Sequence, residues 1–418
     1  MRWTIMLLVV TLLGSLAAFA ELRAGVAKAD ITPPVGSAMY GYGARGANLS
    51  VGVHDPLFAK ALVLDDGETR VAIVTLDLGA FSAENTRNVR SYIGKRTKID
   101  HVIITTSHTH SAPRATLDFP NRAAPWIRET EAKIANAIKE ANTKRRPAQI
   151  GVGWGEVQEG HNRRNVLEDG TVEMFWGNRD RVPTGPLDYL LGVIHIAGDD
   201  GDPIATLVNF ACHPVVLGPE NLQISADYPG VFMRQVEKAT GGQCMFLQGA
   251  AGDINPFWDK TAPADGAFDQ MEKMGTAIAD ETLRVLDTIE PTGGTMPLSI
   301  QQEIIFLARR SDIAREKKNV PAEINTLLIG NDIAFATFPG EFFVEHGLRL
   351  KAQSRIRNTF FVGYTNDQLA YFPTIKATTE GGYGAASATR VEIGAGERLV
   401  NRALVNLHYQ AGLVAGAQ

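Results

Sequence analysis

Short apolar runs rich in β-branched residues alternate with amphipathic stretches along most of the chain, and this alternation most strongly limits the possible fold. Residues 71–76 and 101–106 have the pattern of strands that are buried on both faces, and residues 83–93 between them have a helical pattern. Strands that alternate with helices predict an α/β protein with a largely parallel or mixed sheet. In such folds the loops at the carboxyl ends of the strands usually carry the chemistry.

The same patterns predict further strands and helices downstream. The predicted strands are residues 148–155, 189–196, 204–211, 245–248, 332–338 and 360–363. The predicted helices are residues 129–142, 227–239, 266–287 and 342–354. Asp227 is the expected N-cap of the second of these helices. The chain shows no internal repeat and no low-complexity linker.

The overall composition excludes several classes of protein. The chain has 418 residues, of which 44% are hydrophobic and 21% charged, so it is not a disordered, collagen-like or coiled-coil sequence. Its formal net charge of -5 argues against a nucleic-acid binder, which needs a basic face. Nucleic acid is therefore not an expected partner. The sequence does not indicate an oligomeric state.

The first 20 residues are predicted to be a secretory signal peptide. Arg2 provides a short positive region, residues 5–13 are almost wholly apolar, and the tripeptide at 18–20 has the small-residue pattern of a cleavage site. The apolar core is too short for a membrane span, and no later run approaches the roughly 18 apolar residues that a span requires. We therefore expect an exported protein, periplasmic or secreted, whose mature chain begins near Glu21.

The chain contains two cysteines, Cys212 and Cys244. In an oxidising compartment they could form a disulfide. Each lies in an apolar run with the pattern of a buried strand, however, and this favours free thiols that pack as small hydrophobic groups. Pairing stays open at this point. No neighbouring group that would stabilise a thiolate is evident, so a catalytic thiol is not predicted.

Polar residues of the kinds that bind zinc follow several of the predicted strands. His108 and His110 come directly after residues 101–106, and residues i and i+2 of an extended segment point the same way, so both can face one site. Other strands are followed by His213, Glu341 and Tyr371. Imidazole and carboxylate groups are ligands that Zn²⁺ prefers, and a catalytic zinc keeps one position open for water, whose pKa it lowers to about 7.

Each of these residues also has a structural interpretation. A lone His-x-His pair is often structural, His213 can be a core histidine, and Glu341 can be a carboxylate favoured at a helix N-terminus by the helix dipole. Their shared position at strand ends favours a common site. The spacing alone does not establish a metal.

At these residues the chain resembles the neutral/alkaline non-lysosomal ceramidase family. Residues 24–34 (AGVAKADITPP) resemble the opening segment of the family, and residues 52–55 (GVHD) continue it. Residues 107–113 (SHTHSAP) resemble its His-Thr-His-Ser-Gly-Pro signature, and residues 382–387 (GYGAAS) resemble a downstream motif. The resemblance implies an α/β fold with a large mixed β-sheet core flanked by helices. It also implies one catalytic domain over residues 21–418, without the C-terminal immunoglobulin-like domain of the family.

The resemblance assigns roles to individual residues. It implies that a zinc ion is held by four ligands, His108, His213, Glu341 and Tyr371, while His110 lies beside the metal and handles substrate and protons. Tyr383, twelve residues after Tyr371, is implied to hydrogen-bond the oxyanion of a tetrahedral intermediate. Taken alone, Tyr371 could equally be a packed aromatic residue.

An Asn-Arg pair of the family corresponds to residues 162–163, which makes Arg163 the arginine that faces the site. Arg164 is an alternative for that role, and Arg163 could also be an ordinary loop charge. The family serine implicated in catalysis is replaced by Asn255 in the segment 252–256. An amide cannot serve as a nucleophile, which excludes a serine-acyl mechanism at this position, whereas water activated by a metal does not need the serine. Asn255 can still orient substrate or donate to the oxyanion.

These features predict a zinc-dependent hydrolase that cleaves the amide bond of an N-acyl substrate. The substrate is expected to be ceramide or a related N-acyl lipid, or else an N-acyl sugar or a peptide-like amide. Two alternatives stay open. One is an esterase or other non-amide hydrolase that uses the same zinc site, and the other is a non-catalytic binding protein on a ceramidase-like fold.

Overall fold

The computed structural model describes residues 21–113, 115, 125–310 and 319–414, so the predicted signal peptide lies outside the described residues. The strands are β1 (Arg23–Asp30), β2 (Gly52–Val53), β3 (Phe58–Asp65), β4 (Arg70–Leu76), β5 (His101–Thr106), β6 (Arg146–Glu156), β7 (Gly160–Asn162), β8 (Arg164–Val166), β9 (Val172–Met174), β10 (Leu190–Gly198), β11 (Pro203–Phe210), β12 (Gln223–Ile224), β13 (Gln243–Gln248), β14 (Ile254–Pro256), β15 (Leu298–Leu307), β16 (Val320–Ile329), β17 (Ile333–Thr337), β18 (Glu341–Phe342), β19 (Asn358–Val362) and β20 (Tyr371–Phe372). The helices are α1 (Ala83–Ile93), α2 (Pro125–Thr143), α3 (Tyr228–Thr240), α4 (Ala267–Leu286), α5 (Val344–Gln353), α6 (Ile375–Glu380) and α7 (Ala395–Gln410).

Two sheets form the centre of the fold. The larger has eight strands in the order β13-β11-β10-β6-β1-β3-β4-β5, and the smaller has four in the order β15-β16-β17-β19. The pairs β4–β5, β11–β13 and β17–β19 are parallel, and the other neighbours in these two sheets are antiparallel. The predicted α/β fold with a mixed sheet is therefore confirmed.

The layers follow from the alternation of side chains along each strand. In β4, Ala72 and Val74 pack with helices α1 and α2, whereas Val71 and Ile73 pack against the smaller sheet. Helices α3 and α4 cover the other half of the large sheet, and α5 and α7 cover the outer face of the small sheet. The result is a helix, sheet, sheet, helix arrangement in which strands buried on both faces carry nearly continuous apolar runs.

The large sheet curves so that its two edges come into contact, and this brings the carboxyl ends of several strands together. Strand β13 at one edge contacts β4 and β5 at the other. Strand β19 ends beside both edges: the Gly363 N–H donates to the Gln248 carbonyl at 2.9 Å, and the Thr106 N–H donates to the Tyr364 carbonyl at 3.3 Å. The carboxyl ends of β5, β13 and β19 therefore meet, and those of the parallel neighbours β11 and β17 lie next to them.

The predicted elements agree with the structure to within a few residues at their ends. The Asp227 carboxylate accepts a hydrogen bond from the Tyr228 N–H at the start of α3, as its expected capping role requires.

Cys212 and Cys244 are both free and buried, and burial raises the pKa of each thiol, that of Cys244 to about 12. Within the described part of the chain, no helix is long and apolar enough to cross a membrane.

The buried ammonium group of Lys60 links strand β3 to helix α3 and strand β13. The Lys60 ammonium on β3 donates to Glu237 Oε1 of α3 at 2.7 Å and to the Cys244 carbonyl of β13 at 2.8 Å. Burial by itself raises the pKa of Glu237, but the charge and hydrogen bond of Lys60 lower it below its ordinary value. The stabilisation from this pair is therefore present at neutral pH and is lost as the pH falls through the lowered pKa.

We expect Lys60→Met to reduce the free energy of unfolding by about 3 kcal/mol, because the substitution leaves the Glu237 carboxylate without its closest cation. Urea denaturation at pH 7 measures the loss. Lys28→Met is the matched control, since exposed Lys28 lies 3.5 Å from the same carboxylate and should contribute less than about 1 kcal/mol. Equal losses in the two variants would contradict the assigned role of Lys60.

Candidate active site

The chain turns sharply at His108, directly after β5. Its φ is 68°, a left-handed conformation that is costly for a residue with a side chain. The loop after β4 holds it there: the Leu78 carbonyl accepts from the His108 N–H at 3.0 Å, and the Gly79 carbonyl faces Nδ1 at 2.7 Å. The extended segment predicted from the sequence is therefore wrong in detail. The rings of His108 and His110 nevertheless face each other, with their Nε2 atoms 3.4 Å apart.

His213 enters the same site from the carboxyl end of β11. Its Nδ1 faces the Ile254 carbonyl at 3.1 Å, and its side chain is fully buried. Burial is the main cause that lowers its pKa to about 4, and the charges of Arg163 and His108 act in the same direction against the hydrogen bond with Glu341. The His213 ring is therefore neutral at physiological pH.

Glu341 and Tyr371 are brought together by a short parallel ladder. In the pairing of β18 with β20, Glu341 and Tyr371 are direct register partners. Glu341 Oε2 lies 3.3 Å from His108 Nε2 and 3.2 Å from His213 Nε2. Its other oxygen, Oε1, accepts a hydrogen bond from Gln368 Nε2 at 2.9 Å. All four residues predicted as ligands thus lie in one cluster.

The tautomers of the two histidines make this cluster suitable for a cation. A backbone carbonyl can only accept, so Nδ1 of His108 and of His213 carries a proton, and Nε2 is the atom that each ring presents to the site. Both Nε2 atoms face the same carboxylate oxygen, Glu341 Oε2. Burial alone would raise the pKa of that carboxyl group, but the two histidines hold it well below its ordinary value. Two imidazole nitrogens and a carboxylate that converge in this way, with the second nitrogen of each ring fixed by a backbone carbonyl, fit a bound metal ion.

His110 also lies close enough to His108 and His213 to be a nitrogen ligand of the same metal ion. Donor atoms of His108, His110 and His213 all lie within 4.8 Å of one another, and this group could hold a metal ion. Burial, followed by the charges of His108 and His213, holds the pKa of His110 well below its ordinary value. His110 is therefore a neutral proton acceptor beside the cluster. Its assignment as a proton-handling residue rather than a ligand stays a prediction.

A cavity of about 410 Å³ opens next to this cluster. It lies near the lower end of the volume range of small-molecule sites. The residues that line it include four of the predicted catalytic residues and one predicted ligand: His110, Arg163, Asn255, Tyr383 and Tyr371. The predicted site residues therefore either line one cavity or lie in the cluster beside it.

Arg163 rather than Arg164 faces this cavity. The guanidinium of Arg163 lies over the rings of Trp176, Tyr371 and Tyr383, at 5.2, 5.5 and 5.3 Å from their centroids. Arg164 points away and forms an ion pair with Glu380 at 2.9 Å. It also donates to the Gly381 carbonyl, and it thereby supports the loop that leads to Tyr383.

The Tyr383 side chain packs edge-on against Tyr371, is 39% exposed and lines the cavity. The next residue, Gly384, has φ of 84°, and a Cβ there would lie 3.1 Å from the Tyr371 ring. The backbone conformation therefore favours glycine, and a Cβ would also crowd the rings of Phe343 and Tyr371. Burial and the charge of Glu341 raise the pKa of Tyr371 well above its ordinary value, so its phenol is protonated in the absence of a cation.

Asn255 holds Arg163 in place. Its Oδ1 accepts from Arg163 Nη1 at 3.2 Å, and its Nδ2 donates to Asp259 Oδ2 at 2.8 Å. A second carbonyl, that of Gly252, accepts from Arg163 Nη2 at 2.6 Å. Both polar ends of the Asn255 amide are therefore occupied by protein groups. This arrangement favours an orienting role through Arg163 over direct donation to an oxyanion.

Several residues of the site were not predicted. Gln368 fixes Glu341, the Tyr40 ring lies 5.4 Å from both His108 and His110, and the Tyr42 ring packs edge-on against His110 at 4.9 Å. Asp259 and Lys260 also line the cavity. Gln368 follows β19 in the polar loop that leads to Tyr371, so its position after a strand was a usable signal. The tyrosines and Asp259 lie in loops without such a signal.

Comparisons with known proteins agree with this geometry. The chain matches the family model described as "Neutral/alkaline non-lysosomal ceramidase, N-terminal" over residues 22–263. The neutral ceramidase of Mycobacterium tuberculosis (strain ATCC 25618 / H37Rv) is 25% identical over 310 residues, which are 65% of this chain and 47% of that protein. The neutral ceramidase of Drosophila pseudoobscura pseudoobscura is 36% identical over 102 residues, 23% of this chain and 14% of that protein. The chain thus aligns with less than half the length of these curated relatives.

The fold is also that of a solved structure. The crystal structure of neutral ceramidase from Pseudomonas aeruginosa superposes with a TM-score of 0.77, at 17% sequence identity, and the match covers 96% of this chain and 76% of that chain.

Proposed function

Because this chain belongs to the neutral/alkaline non-lysosomal ceramidase family, we propose that it is a zinc-dependent hydrolase of the amide bond in an N-acyl substrate. The observation that carries the proposal is the convergence of the His108 and His213 imidazoles on the Glu341 carboxylate beside a cavity with hydrogen-bond donors in its wall. Relatives named neutral ceramidases make ceramide the first substrate to test.

In this proposal His108, His213, Glu341 and Tyr371 hold the metal. Bound Zn²⁺ would supply Lewis-acid chemistry and activate water as a nucleophile near neutral pH. Gln368 orients Glu341, and the Gly79 and Ile254 carbonyls orient the two histidines. Such supporting contacts fix the direction of ligand lone pairs and raise metal affinity.

The cavity residues act on the substrate. We assign the Tyr383 hydroxyl and the Arg163 guanidinium as donors to the carbonyl oxygen as negative charge develops on it, since both residues line the cavity. His110 is neutral, so it can accept a proton from the attacking water and transfer it to the leaving amine. Asn255 keeps Arg163 in position and takes no direct part in the chemistry.

Metal analysis combined with a substrate panel tests the proposal. We expect about one zinc ion per chain, together with amide cleavage that is lost on chelation and restored by added Zn²⁺. The panel contains N-dodecanoyl sphingosine, N-dodecanoyl amino acids, N-acetyl sugars and a p-nitrophenyl ester. Turnover of the ester alone would favour an esterase. Absence of zinc, or hydrolysis that is insensitive to chelation, would contradict the metal mechanism.

We also propose that the protein is exported, on the basis of the signal-peptide pattern at residues 1–20. Mass spectrometry of the protein recovered outside the cytoplasm should give a chain that begins near Glu21. Retention of an uncleaved precursor in the cytoplasm would contradict export.

A further inference from the structure

Arg45 is a buried cation next to the cavity that the catalytic roles proposed above do not use. It directly follows Ala44, which lines the cavity, but its own side chain is buried, with 3% of the residue exposed. Among the described residues it has no acidic partner, and backbone carbonyls accept its hydrogen bonds. Burial of a charge is costly unless its hydrogen bonds are made, so this guanidinium favours one arrangement of the loops that supply those carbonyls.

The guanidinium joins three loops that border the cavity. Nη1 of Arg45 donates to the Tyr40 carbonyl of its own loop at 2.8 Å and to the His110 carbonyl of the second loop at 2.6 Å. Nε reaches the third loop and donates to the Asn221 carbonyl at 3.2 Å. Each loop contributes a residue to the cavity lining, namely Tyr42, His110 and Pro219. One side chain therefore fixes the relative positions of three parts of the cavity wall.

The loop that carries Arg45 also encloses the imidazole of His110. The rings of Tyr40 and Tyr42 pack edge-on against this imidazole, with centroids 5.4 and 4.9 Å away. Gly41 between them has φ of 101°, and a Cβ there would lie 2.3 Å from Cγ and Nδ1 of His110. The backbone of Gly41 thus lies directly against the ring. Residues 40–42 are called the His110 slot below, and the Arg45 guanidinium lies 4.8 Å from the centroid of the Tyr42 ring in this slot.

The His110 slot takes the place of the hydrogen bond that orients each of the other two histidines. Nδ1 of His108 and Nδ1 of His213 face backbone carbonyls at 2.7 and 3.1 Å. Nδ1 of His110 is buried and has no hydrogen-bond partner in the described part of the chain. Packing in the slot therefore orients its ring, with Nε2 at 3.4 Å from His108 Nε2. A residue that fixes the slot also fixes the direction of His110 Nε2.

We propose that Arg45 is a positioning residue for His110: by binding the carbonyls of His110 and Tyr40, it keeps the His110 slot closed around the imidazole and holds Nε2 towards the reacting groups. This inference rests on the proposed function, in which His110 transfers a proton, and adds the residue that orients it. Arg45 itself makes no contact with the substrate. Its effect comes from geometry, since a displacement of about 1 Å in a reacting group can cost about 10²-fold in rate.

The Arg45→Met variant removes the hydrogen-bond donors and keeps an unbranched side chain. We expect kcat for the best amide of the panel to fall by about 10–100-fold, with KM within about threefold and zinc content unchanged, because a misplaced proton-transfer group impairs the chemical step. Arg45→Lys should stay within about tenfold of the wild-type kcat, because an ammonium can still donate to the two carbonyls that Nη1 binds. Steady-state kinetics and metal analysis measure these effects.

Arg90→Met is the matched control. Arg90 also donates to a backbone carbonyl, that of Val102 at 2.7 Å, but it lies on α1 outside the lining of the cavity, so its kinetics should equal those of the wild type. If Arg45 only stabilised the fold, Arg45→Met would lower zinc content and activity together and leave kcat per bound zinc unchanged. That result, or a wild-type kcat in Arg45→Met, would overturn the positioning role.

Histidine resonances of the metal-free protein separate this inference from the proposed function, because they need no turnover. In protein labelled at histidine ¹³Cε1, the variants His110→Ala and His213→Ala identify the two signals. Arg45→Met should shift the His110 signal, because the ring moves relative to the two tyrosines, and leave the His213 signal in place. This outcome supports the positioning role even if no amide is cleaved.

Two other outcomes of this measurement contradict the inference. An unchanged His110 signal in Arg45→Met would show that the His110 slot does not depend on the guanidinium. Equal shifts of the His110 and His213 signals would assign Arg45 to the fold of the whole site instead. Absence of amide cleavage by the wild type would count against the proposed function alone.

Discussion

Replacing His213 with alanine is expected to lower bound zinc to less than about a tenth of the wild-type content and amide hydrolysis by about 10³–10⁴-fold. The His213 imidazole is neutral, its Nδ1 is fixed by the Ile254 carbonyl, and its Nε2 lies 3.2 Å from Glu341 Oε2. Truncation to alanine removes this nitrogen from the proposed ligand set. Metal analysis after gel filtration, together with turnover of the best amide of the panel, measures both effects.

His195→Ala is the control for this substitution. His195 is half-buried on β10 and lies outside the group of potential ligands, so zinc and turnover should stay at wild-type values. The His110→Ala variant tests whether His110 is itself a metal ligand. If His110 handles protons, this variant keeps its zinc and loses turnover, whereas loss of zinc would make His110 a ligand. Retention of zinc and activity in His213→Ala would contradict the metal site as a whole.

Tyr383→Phe is expected to lower kcat by about 10²–10³-fold with little change in KM, because it removes one donor to the developing oxyanion. The phenylalanine ring can keep the contacts of Tyr383 with Tyr371 and Trp176, whose centroids both lie 5.4 Å away. The variant therefore tests the hydroxyl rather than the packing. Steady-state kinetics on the best amide substrate provide the two constants.

Tyr409→Phe is the matched control, since Tyr409 has a similar exposure, 42% against 39%, and lies on α7 away from the cavity. Its kinetics should equal those of the wild type. A Tyr383→Phe variant that raises KM and leaves kcat unchanged would contradict oxyanion stabilisation. Such a result would assign Tyr383 to ground-state binding of substrate instead.

Much of the fold was predictable because its strands are buried on both faces. Continuous apolar runs such as residues 204–211 and 245–248 indicate strands from a few residues each. Strand β1 was missed, since its alternating Ala and Gly residues have weak strand propensity and its burial depends on neighbouring elements. Strands β15 and β16 and helix α7 were also missed. Helix α7 does carry an apolar stripe at helical spacing, with Leu399, Ala403 and Leu407 all buried, so that signal was present.

The sequence could not decide between Arg163 and Arg164. Adjacent residues of an extended segment point to opposite sides, so one arginine faces the cavity and the other faces the loop before Tyr383. Which of them faces the cavity depends on the pairing of β7 with β14, where Arg163 follows the strand and its N–H donates to the Asp253 carbonyl at 2.9 Å. The turn at His108 likewise depends on carbonyls from the loop after β4.

The sequence by itself determined the family, the order of most strands and helices, and the polar residues that follow the strands. These features are encoded within short segments, in periodicity and in local motifs. Only the tertiary structure decided that the edges of the large sheet approach each other, that Gln368 supports Glu341, and that Asn255 accepts a hydrogen bond from Arg163. The physical reason is that such contacts join residues far apart in the chain, and packing and hydrogen bonding across the whole core select them.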